Sequence, residues 1–275
     1  MKSNLVSVDW LKDHLNDDNL IILDATIPKA NDKTAVFTTE CIPTTLFFDL
    51  KKVFSDQTTN FPNTVPTTFD FETNAQNIGI NSNSTIIIYD KHGVYSSPRA
   101  WWLFKLMGHK NVFVLNGGFP AWQSNQLKTS DNYFTPTEKG NFKANDNPIL
   151  FNSYTDVLSK LNNSNFQILD ARSQGRFLAL KDEPRVGLRS GHIPNSKNLH
   201  YASLTADCFL KSKKELELIF DDLKINSNQI IYSCGSGITA CILALAGTEV
   251  GYHNFSIYDG SWSEWGALNE LPIEK

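Results

Sequence analysis

The sequence predicts an α/β protein made of two tandem copies of one unit, each a parallel sheet with helices on both faces. Two observations support this prediction. Short landmarks recur in the same order in the two halves of the chain, and strand-like and helix-like patterns alternate within each half. A length of 275 residues and a hydrophobic content of 41% suit two domains of ordinary size, each with its own core.

Four landmarks carry the repeat, and each follows or contains a short apolar run. They pair as Leu23-Asp24-Ala25 with Leu169-Asp170-Ala171, Cys41-Ile42-Pro43 with His192-Ile193-Pro194, Ile88-Tyr89 with Ile231-Tyr232, and Leu115-Asn116-Gly117 before Trp122 with Tyr258-Asp259-Gly260 before Trp265. The same number of residues separates the tyrosine of the third landmark from the tryptophan of the fourth in both halves. Four shared landmarks in one order indicate a duplicated unit.

The alternation of elements is clearest in the first half. Apolar periodicity there predicts a helix near Val8–Leu15, strands at 20–24 and 85–89, a helix from about Pro98 to Met107 and a strand at Asn111–Leu115. A polar stretch with prolines and a glycine, residues 136–148, is predicted to link the halves. We therefore expect one domain at 1–135 and a second at 149–275.

Composition excludes several classes of function. A formal net charge of −4, without long runs of one sign, argues against nucleic acid and anionic membrane as partners. The first residues hold charged side chains where a signal peptide would have an apolar core, and the four cysteines show neither CxxC pairs nor zinc-like spacing. We expect a protein of the cytoplasm with reduced thiols, no metal and no cofactor.

The most informative stretch is the loop Cys234–Thr239, called here the cysteine loop. A predicted strand, Gln229–Tyr232, precedes it, a predicted helix, Ala240–Ala246, follows it, and two glycines lie inside it. Such a short loop can turn its backbone N–H groups inward on one atom, and the following helix presents its positive end. Both features favour a thiolate at Cys234 and so a nucleophile. The simpler interpretation is an inert buried cysteine, while a cysteine phosphatase is disfavoured because Ala240 stands where its phosphate-clamping arginine would be.

The loop sequence CGSGITA resembles the active-site loop of the rhodanese superfamily, in the form associated with mercaptopyruvate-type sulfurtransferases. The landmarks match the rhodanese fold over nearly the whole chain, and the stretch Tyr258–Gly266 resembles bacterial members of this type. The resemblance implies a persulfide on Cys234 that passes sulfur from a small-molecule donor to a thiol, such as thioredoxin, or to cyanide. It also implies an inactive first domain, where counting the same offset places Lys91 opposite Cys234.

The uncharged interior of the cysteine loop favours 3-mercaptopyruvate as the donor, because thiosulfate-preferring relatives usually carry charges there. A thiosulfate sulfurtransferase and a non-enzymatic sulfur carrier or binding module remain as alternatives. The resemblance assigns catalysis to Cys234 and Ser236, and substrate binding to Arg176, Arg185, Gly235, Gly237, Ile238 and Thr239.

Four arginines lie near an insertion that makes the second half five residues longer between its Asp-Ala and Ile-Pro landmarks. A guanidinium matches a carboxylate bidentately, although a solvated basic loop would have the same composition. Arg176 and Arg185 match the family's substrate-binding pair in motif and spacing. Arg172 is expected to form a structural ion pair with Asp170, and Arg189 is left without an assigned role.

In mercaptopyruvate enzymes the loop serine is proposed to form a relay with a histidine and an aspartate of the first domain. Our alignment of motifs places the family's histidine at Cys41 and matches the aspartate only loosely to Asp32. Ser236 then acts as a simple hydrogen-bond donor, or another histidine such as His92 takes the place. We expect Cys41 to be a small buried side chain and not a second reactive thiol.

Overall fold

The computed structural model describes residues 3–29 and 37–275, which form two compact units. The first unit comprises Met1–Gln57, Val65–Asn147 and Asp207–Leu210, and the second comprises Thr58–Thr64, Pro148–Ala206 and Lys211–Lys275. One short segment of each half thus belongs to the unit that the other half forms. Neither segment could be assigned from the repeat alone.

The first unit contains a five-stranded sheet whose strands are all parallel. They are β1 (Leu5–Val6), β2 (Leu20–Asp24), β3 (Leu46–Phe47), β4 (Thr85–Tyr89) and β5 (Val112–Leu115). Their order across the sheet is β1-β5-β4-β2-β3. The central strand, β4, has four consecutive buried residues, as expected for a strand covered on both faces.

The second unit repeats this arrangement. Its strands in chain order are β6 (Phe151–Asn152), β7 (Phe166–Asp170), β8 (Lys197–Asn198), β9 (Thr205–Ala206), β11 (Gln229–Ser233) and β12 (Phe255–Tyr258), with β10 (Phe209–Leu210) lying in the first unit. The parallel sheet has the order β6-β12-β11-β7-β8, which is the order of the first sheet in equivalent strands. The predicted duplication is therefore confirmed.

The helices follow the strands as the alternation predicts. They are α1 (Val8–His14), α2 (Thr68–Asn77), α3 (Ser97–Leu106), α4 (Gly118–Ser124), α5 (Tyr154–Lys160), α6 (Gln174–Phe177), α7 (Lys213–Asp222), α8 (Ala240–Glu249) and α9 (Ser261–Trp265), with 3-10 turns at Pro148–Leu150 and Tyr201–Leu204. Among the described residues, no helix is both long and apolar enough to cross a membrane. Ser153 and Ser212 begin α5 and α7 with reciprocal capping boxes, which fix where these helices start.

Each unit buries its own aromatic core beside the sheet. Trp122 lies at 1% exposure in the first unit, and its equivalent Trp265 is fully buried in the second. The indole N–H of each donates to a backbone carbonyl, that of Lys128 or of Pro272, so the burial leaves no polar atom unpaired. These tryptophans hold the short helices α4 and α9 against the sheets.

Residues 136–148, predicted to form the linker, include a segment that packs on the first unit. Phe142 is fully buried, and its backbone N–H donates to the carbonyl of Ile80. The Lys143 ammonium lies 2.8 Å from Glu72 Oε1. This part of the chain is held by side-chain burial and hydrogen bonds, so it is not a free tether.

The sheet register corrects the predicted equivalence of Lys91 and Cys234. Asp24 pairs with Tyr89, and Asp170 pairs with Ser233, so the residue after each pair is Asp90 in one unit and Cys234 in the other. The carbonyls of Asp90 and Cys234 accept equivalent hydrogen bonds, from the backbone N–H groups of Phe119 and Trp262. The loop after β4 is one residue longer than the cysteine loop. Counting residues between landmarks therefore placed Lys91, one position after Asp90, opposite Cys234.

Asp90 fills the loop that follows it with its own carboxylate. Its Oδ2 accepts hydrogen bonds of 2.8–2.9 Å from the backbone N–H groups of Tyr95, Ser96 and Ser97, and one of 2.6 Å from the Ser97 hydroxyl. Its Oδ1 accepts a fifth, from the N–H of His92. The carboxylate is fully buried, and the amides neutralise it in place of a cation.

We predict that Asp90→Ala destabilises the protein strongly, because three N–H groups at the start of α3 lose their acceptor inside the core. Each buried unsatisfied donor costs on the order of 1–3 kcal/mol, so a loss of roughly 3 kcal/mol or more is expected. Urea unfolding would measure it, with the exposed Asp18→Ala as a control that changes stability by less than about 0.5 kcal/mol. Equal midpoints for the two variants would contradict this account of the loop.

Candidate active site

The cysteine loop lies at the carboxyl end of the central strand of the second sheet. Strand β11 ends at Ser233, α8 begins at Ala240, and the Cys234 side chain is 2% exposed. Gly237 takes a φ of +76°, which a glycine adopts without strain and which lets the chain turn back toward α8. Sites in parallel sheets lie at this edge, as the sequence predicts for Cys234.

The start of α9 holds the cysteine loop in place. Ser261 Oγ accepts a hydrogen bond of 3.1 Å from the Cys234 N–H and lies 3.9 Å from Cys234 Sγ. The backbone N–H of Trp262 donates to the Cys234 carbonyl at 3.0 Å, and Ser263 donates to the Gly235 carbonyl from both its N–H and its hydroxyl. The sequence showed only that this stretch resembles bacterial relatives, so the supporting role of the two serines was missed.

The cysteine loop differs from the Asp90 loop in what its amides contact. Within the described part of the chain, the N–H groups of Ser236, Ile238 and Thr239 donate to no protein acceptor. The positions equivalent to Ile238 and Thr239 are those whose amides bind the Asp90 carboxylate in the first unit. The loop can therefore accept an anion from outside, beside the sulfur of Cys234.

Ser236 receives two hydrogen bonds on its hydroxyl oxygen. Asn63 Nδ2 donates to Ser236 Oγ at 3.1 Å and to the Ser236 carbonyl at 3.1 Å, and Arg185 Nη2 donates to Oγ at 3.2 Å. Asn63 lies in the segment Thr58–Thr64 of the second unit. Sequence reasoning did not single out Asn63, because nothing local in the sequence connects this segment to the cysteine loop.

Arg176 lies against the other side of the cysteine loop. Its Nη2 is 3.1 Å from the point where a Cβ on Gly235 would lie, so any larger residue at Gly235 would crowd the guanidinium. Arg176 is 20% exposed and forms a bidentate pair with Glu183, at 3.1 Å from Nε and 2.5 Å from Nη2. Arg176 and Arg185 thus both lie against the cysteine loop, and their role in substrate binding stays a prediction.

Glu183 connects Arg176 to a buried ion-pair network. Its Oε1 accepts a hydrogen bond of 2.9 Å from Arg172, which also pairs with Asp170 at 2.6 Å and stacks on Trp262. Glu183 is 1% exposed, and the charges around it balance as two guanidiniums and two carboxylates. The predicted structural pair of Arg172 and Asp170 is confirmed, whereas Glu183 was missed.

Arg189, which the sequence left without a role, holds the segment 265–271 by hydrogen bonds. Its guanidinium donates to five backbone carbonyls, those of Trp265, Gly266, Leu268, Asn269 and Leu271. A single side chain therefore satisfies the carbonyls that follow α9, where a helix leaves acceptors without partners. Arg189 supports the site through α9.

His200 also lies near Arg176, and nothing in the sequence singled it out. Partial burial, assisted by the positive charge of Arg176, lowers the pKa of His200 below its ordinary value of 6.5. Its ring contacts Tyr201 edge-on, with 5.0 Å between the ring centroids. A neutral imidazole therefore stands beside the guanidinium at pH 7.

The sequence left open whether a histidine contacts Ser236, because Cys41 stands at the family's histidine position and His92 was the suggested substitute. Cys41 lies in the first unit, fully buried, with its thiol 3.4–3.5 Å from the carbonyls of Ser130 and Asn132, and burial raises the pKa of this thiol. His92 contacts the carbonyl of Ile27 at 2.9 Å. Among the described residues, the side chains that hydrogen-bond Ser236 Oγ are those of Asn63 and Arg185. Asp32 lies outside the described residues.

Comparisons with known proteins agree with this architecture. The model of the rhodanese-like domain matches residues 7–125 and 153–268. The chain is 37% identical over 274 residues to 3-mercaptopyruvate sulfurtransferase of Escherichia coli K12, covering 98% of this chain and 97% of that protein. It is also 37% identical over 272 residues to thiosulfate sulfurtransferase of Rattus norvegicus, covering 95% and 91%.

A solved structure gives the same result. The crystal structure of SseA from Escherichia coli, a 3-mercaptopyruvate sulfotransferase, superposes with a TM-score of 0.84 at 33% sequence identity. The match covers 95% of this chain and 99% of that one. Similarity thus extends over both units.

We predict that Glu183→Gln lowers the free energy of unfolding by roughly 2–4 kcal/mol, because two guanidiniums lose the buried carboxylate between them. Thermal or urea unfolding would measure this, and the exposed Glu270→Gln serves as a matched control. Unchanged stability of Glu183→Gln would show that the network is not the support described here.

Proposed function

Because this chain belongs to the rhodanese family, we propose that it is a 3-mercaptopyruvate sulfurtransferase with Cys234 as its nucleophile. It transfers sulfur from 3-mercaptopyruvate to a thiol or to cyanide and releases pyruvate. The observation that carries the proposal is a buried cysteine whose loop amides are open to an anion and are flanked by two arginines. Sequence similarity over almost the whole chain supports it.

The chemistry needs two displacements at sulfur. The Cys234 thiolate attacks the sulfur of mercaptopyruvate, an S–S bond forms, and the C–S bond breaks with its electron pair moving into the enolate of pyruvate. The enolate then takes a proton at carbon. An acceptor thiolate or cyanide attacks the outer sulfur of the persulfide and leaves Cys234 as a thiolate again. No external oxidant or metal is needed for this balance.

The other residues of the site supply charge and shape. Arg176 and Arg185 orient the carboxylate of the donor, since a guanidinium fork matches it bidentately. The amides of Gly235, Gly237, Ile238 and Thr239 stabilise the negative charge on the thiolate and on the persulfide. Ser236 completes the set as a hydrogen-bond donor to the ketone oxygen, and it touches the reacting molecule directly.

Arg176 is already paired with Glu183, and this ion pair limits which of its nitrogens can bind a substrate carboxylate. The Glu183 carboxylate occupies Nε and Nη2, which leaves Nη1 of the fork for the substrate. Arg185 contacts the protein through Ser236 at its Nη2 and is half-buried. In this proposal both guanidiniums contribute positive charge beside the cysteine loop for a small anion.

Two other functions remain as alternatives to the proposed one. A thiosulfate sulfurtransferase is consistent with the family and with one of the compared relatives, but the uncharged residues of the cysteine loop favour a donor with a single carboxylate. A non-enzymatic sulfur carrier would keep a persulfide without needing arginines for a small donor. A thioredoxin-like thiol as acceptor and a cytoplasmic location remain parts of the proposal that rest on the sequence.

We predict that, with a dithiol that takes the sulfur and is oxidised to its disulfide, sulfide and pyruvate form from 3-mercaptopyruvate faster than thiocyanate forms from thiosulfate and cyanide. Cys234→Ser should lose at least about 10³-fold in both reactions. The serine side chain is nearly the same size, so circular dichroism and the unfolding midpoint should stay close to wild type. Cys208→Ser, which changes a partly buried thiol of the first unit, is the matched control and should keep most activity.

Each outcome of this experiment points to one class. Faster turnover of thiosulfate would exchange the main proposal for the first alternative. Activity that survives Cys234→Ser would remove the mechanism. No turnover of either donor by the wild type would favour the carrier.

A further inference from the structure

Ser236 meets a residue from a distant part of the chain. The segment Thr58–Thr64 belongs to the second unit, and Asn63 in it has a φ of +63°, which asparagine tolerates better than most residues. This conformation brings its amide to Ser236, where Nδ2 is 3.1 Å from both the hydroxyl oxygen and the carbonyl oxygen. A single side chain thus fixes the backbone and the hydroxyl of the same loop residue.

The hydrogen bonds determine the direction of the Ser236 hydroxyl. A serine hydroxyl has two lone pairs and one proton. Asn63 Nδ2 and Arg185 Nη2 are both donors, and together they occupy the two lone pairs of Ser236 Oγ. The proton must then point to a third group, and Ser236 is 9% exposed, so a molecule bound at the loop is the available acceptor.

The two donors also set the strength of the Ser236 hydroxyl. Donation to its oxygen polarises the O–H bond, and hydrogen bonds in a chain reinforce one another in a low dielectric. An asparagine amide does not titrate, and an arginine stays protonated. The arrangement therefore keeps one protonation state at any pH where the protein is folded.

We propose that Asn63 is a positioning residue that holds the Ser236 hydroxyl as a fixed hydrogen-bond donor to the ketone oxygen of a 2-oxo acid donor. This inference rests on the proposed function and deepens it. When the C–S bond breaks, the electron pair reaches the ketone oxygen as an enolate, and the Ser236 proton stabilises it by a hydrogen bond. The proton stays on Ser236, so no relay through a titrating base is required.

A change of polarity at constant shape tests this inference. Asn63→Asp keeps the size and the tolerance of positive φ, but it replaces a donor with a charged acceptor that draws the Ser236 proton toward itself. We expect kcat/KM for mercaptopyruvate to fall by about 10- to 100-fold, which is less than the roughly 10²–10³-fold loss when an oxyanion donor is removed, because Ser236 itself remains. Asn63→Gly removes the amide without adding charge and should lower it in the same direction.

Asn60→Asp is the matched control for charge. Asn60 is exposed and lies in the same segment as Asn63. Its replacement by aspartate adds the same negative charge at a position outside the hydrogen bonds to Ser236. It should change kcat/KM for mercaptopyruvate by less than about threefold, as expected for an exposed charge outside the hydrogen-bonded network. An equal loss in both aspartate variants would mean that the effect is repulsion of the anionic donor, and it would overturn the inference.

A double-mutant cycle separates positioning from a structural role. If Asn63 acts through Ser236, then Asn63→Gly in a Ser236→Ala background should cost less than about twofold, far below its cost in the wild type. Additive losses would overturn the inference. Full activity of Asn63→Asp would also overturn it. So would a pH profile of kcat in which the wild type requires a base to ionise between pH 6 and 8 and Ser236→Ala does not.

Failure of the inference and failure of the proposed function give different results. If the wild type does not turn over mercaptopyruvate at all, the proposed function fails. If the wild type is active while the Asn63 variants behave like their control, only the role of Asn63 fails. Unfolding midpoints within a few degrees of wild type confirm that each variant is compared as a folded protein.

Discussion

Both units place a loop of backbone amides at the carboxyl end of their central strand, and those amides need an anion. In the first unit Asp90 supplies it from within the chain, through hydrogen bonds from the N–H groups at the start of α3. In the second unit Cys234 stands at the equivalent position, with a smaller side chain that cannot reach across the loop. The exchange of Asp90 for Cys234, together with a difference of one residue in loop length, thus separates a closed structural loop from an open site.

The charges around the second loop follow from the same constraint. Glu183, the carboxylate beside Arg176, is neutralised by ion pairs with Arg172 and Arg176. Breaking such a buried pair leaves an uncompensated charge, which makes the network costly to disturb. The network is therefore a support for Arg176 as well as a partial neutralisation of it.

The duplicated α/β fold was predictable from the sequence because the landmarks sit at strand ends, where the backbone geometry restricts residue choice. The residue of the first unit that is equivalent to Cys234 could not be predicted in this way. Equal residue counts between tyrosine and tryptophan in the two halves concealed a one-residue insertion, and only the strand register places Asp90 there. Motif matching likewise pointed to Cys41, whereas long-range packing brings Asn63 to Ser236. Contacts between distant segments have no local periodicity, so the sequence alone could not show them.

The open loop is expected to stabilise an added, negatively charged sulfur on one cysteine among four free thiols. Peptide mapping by mass spectrometry after a brief exposure to 3-mercaptopyruvate, with thiols blocked by alkylation, tests it most directly. We expect the added sulfur atom on Cys234 and none on Cys41, Cys208 or Cys241, with Cys241 distinguished from Cys234 by fragmentation of the peptide. Added sulfur on another cysteine with Cys234 unmodified would contradict it.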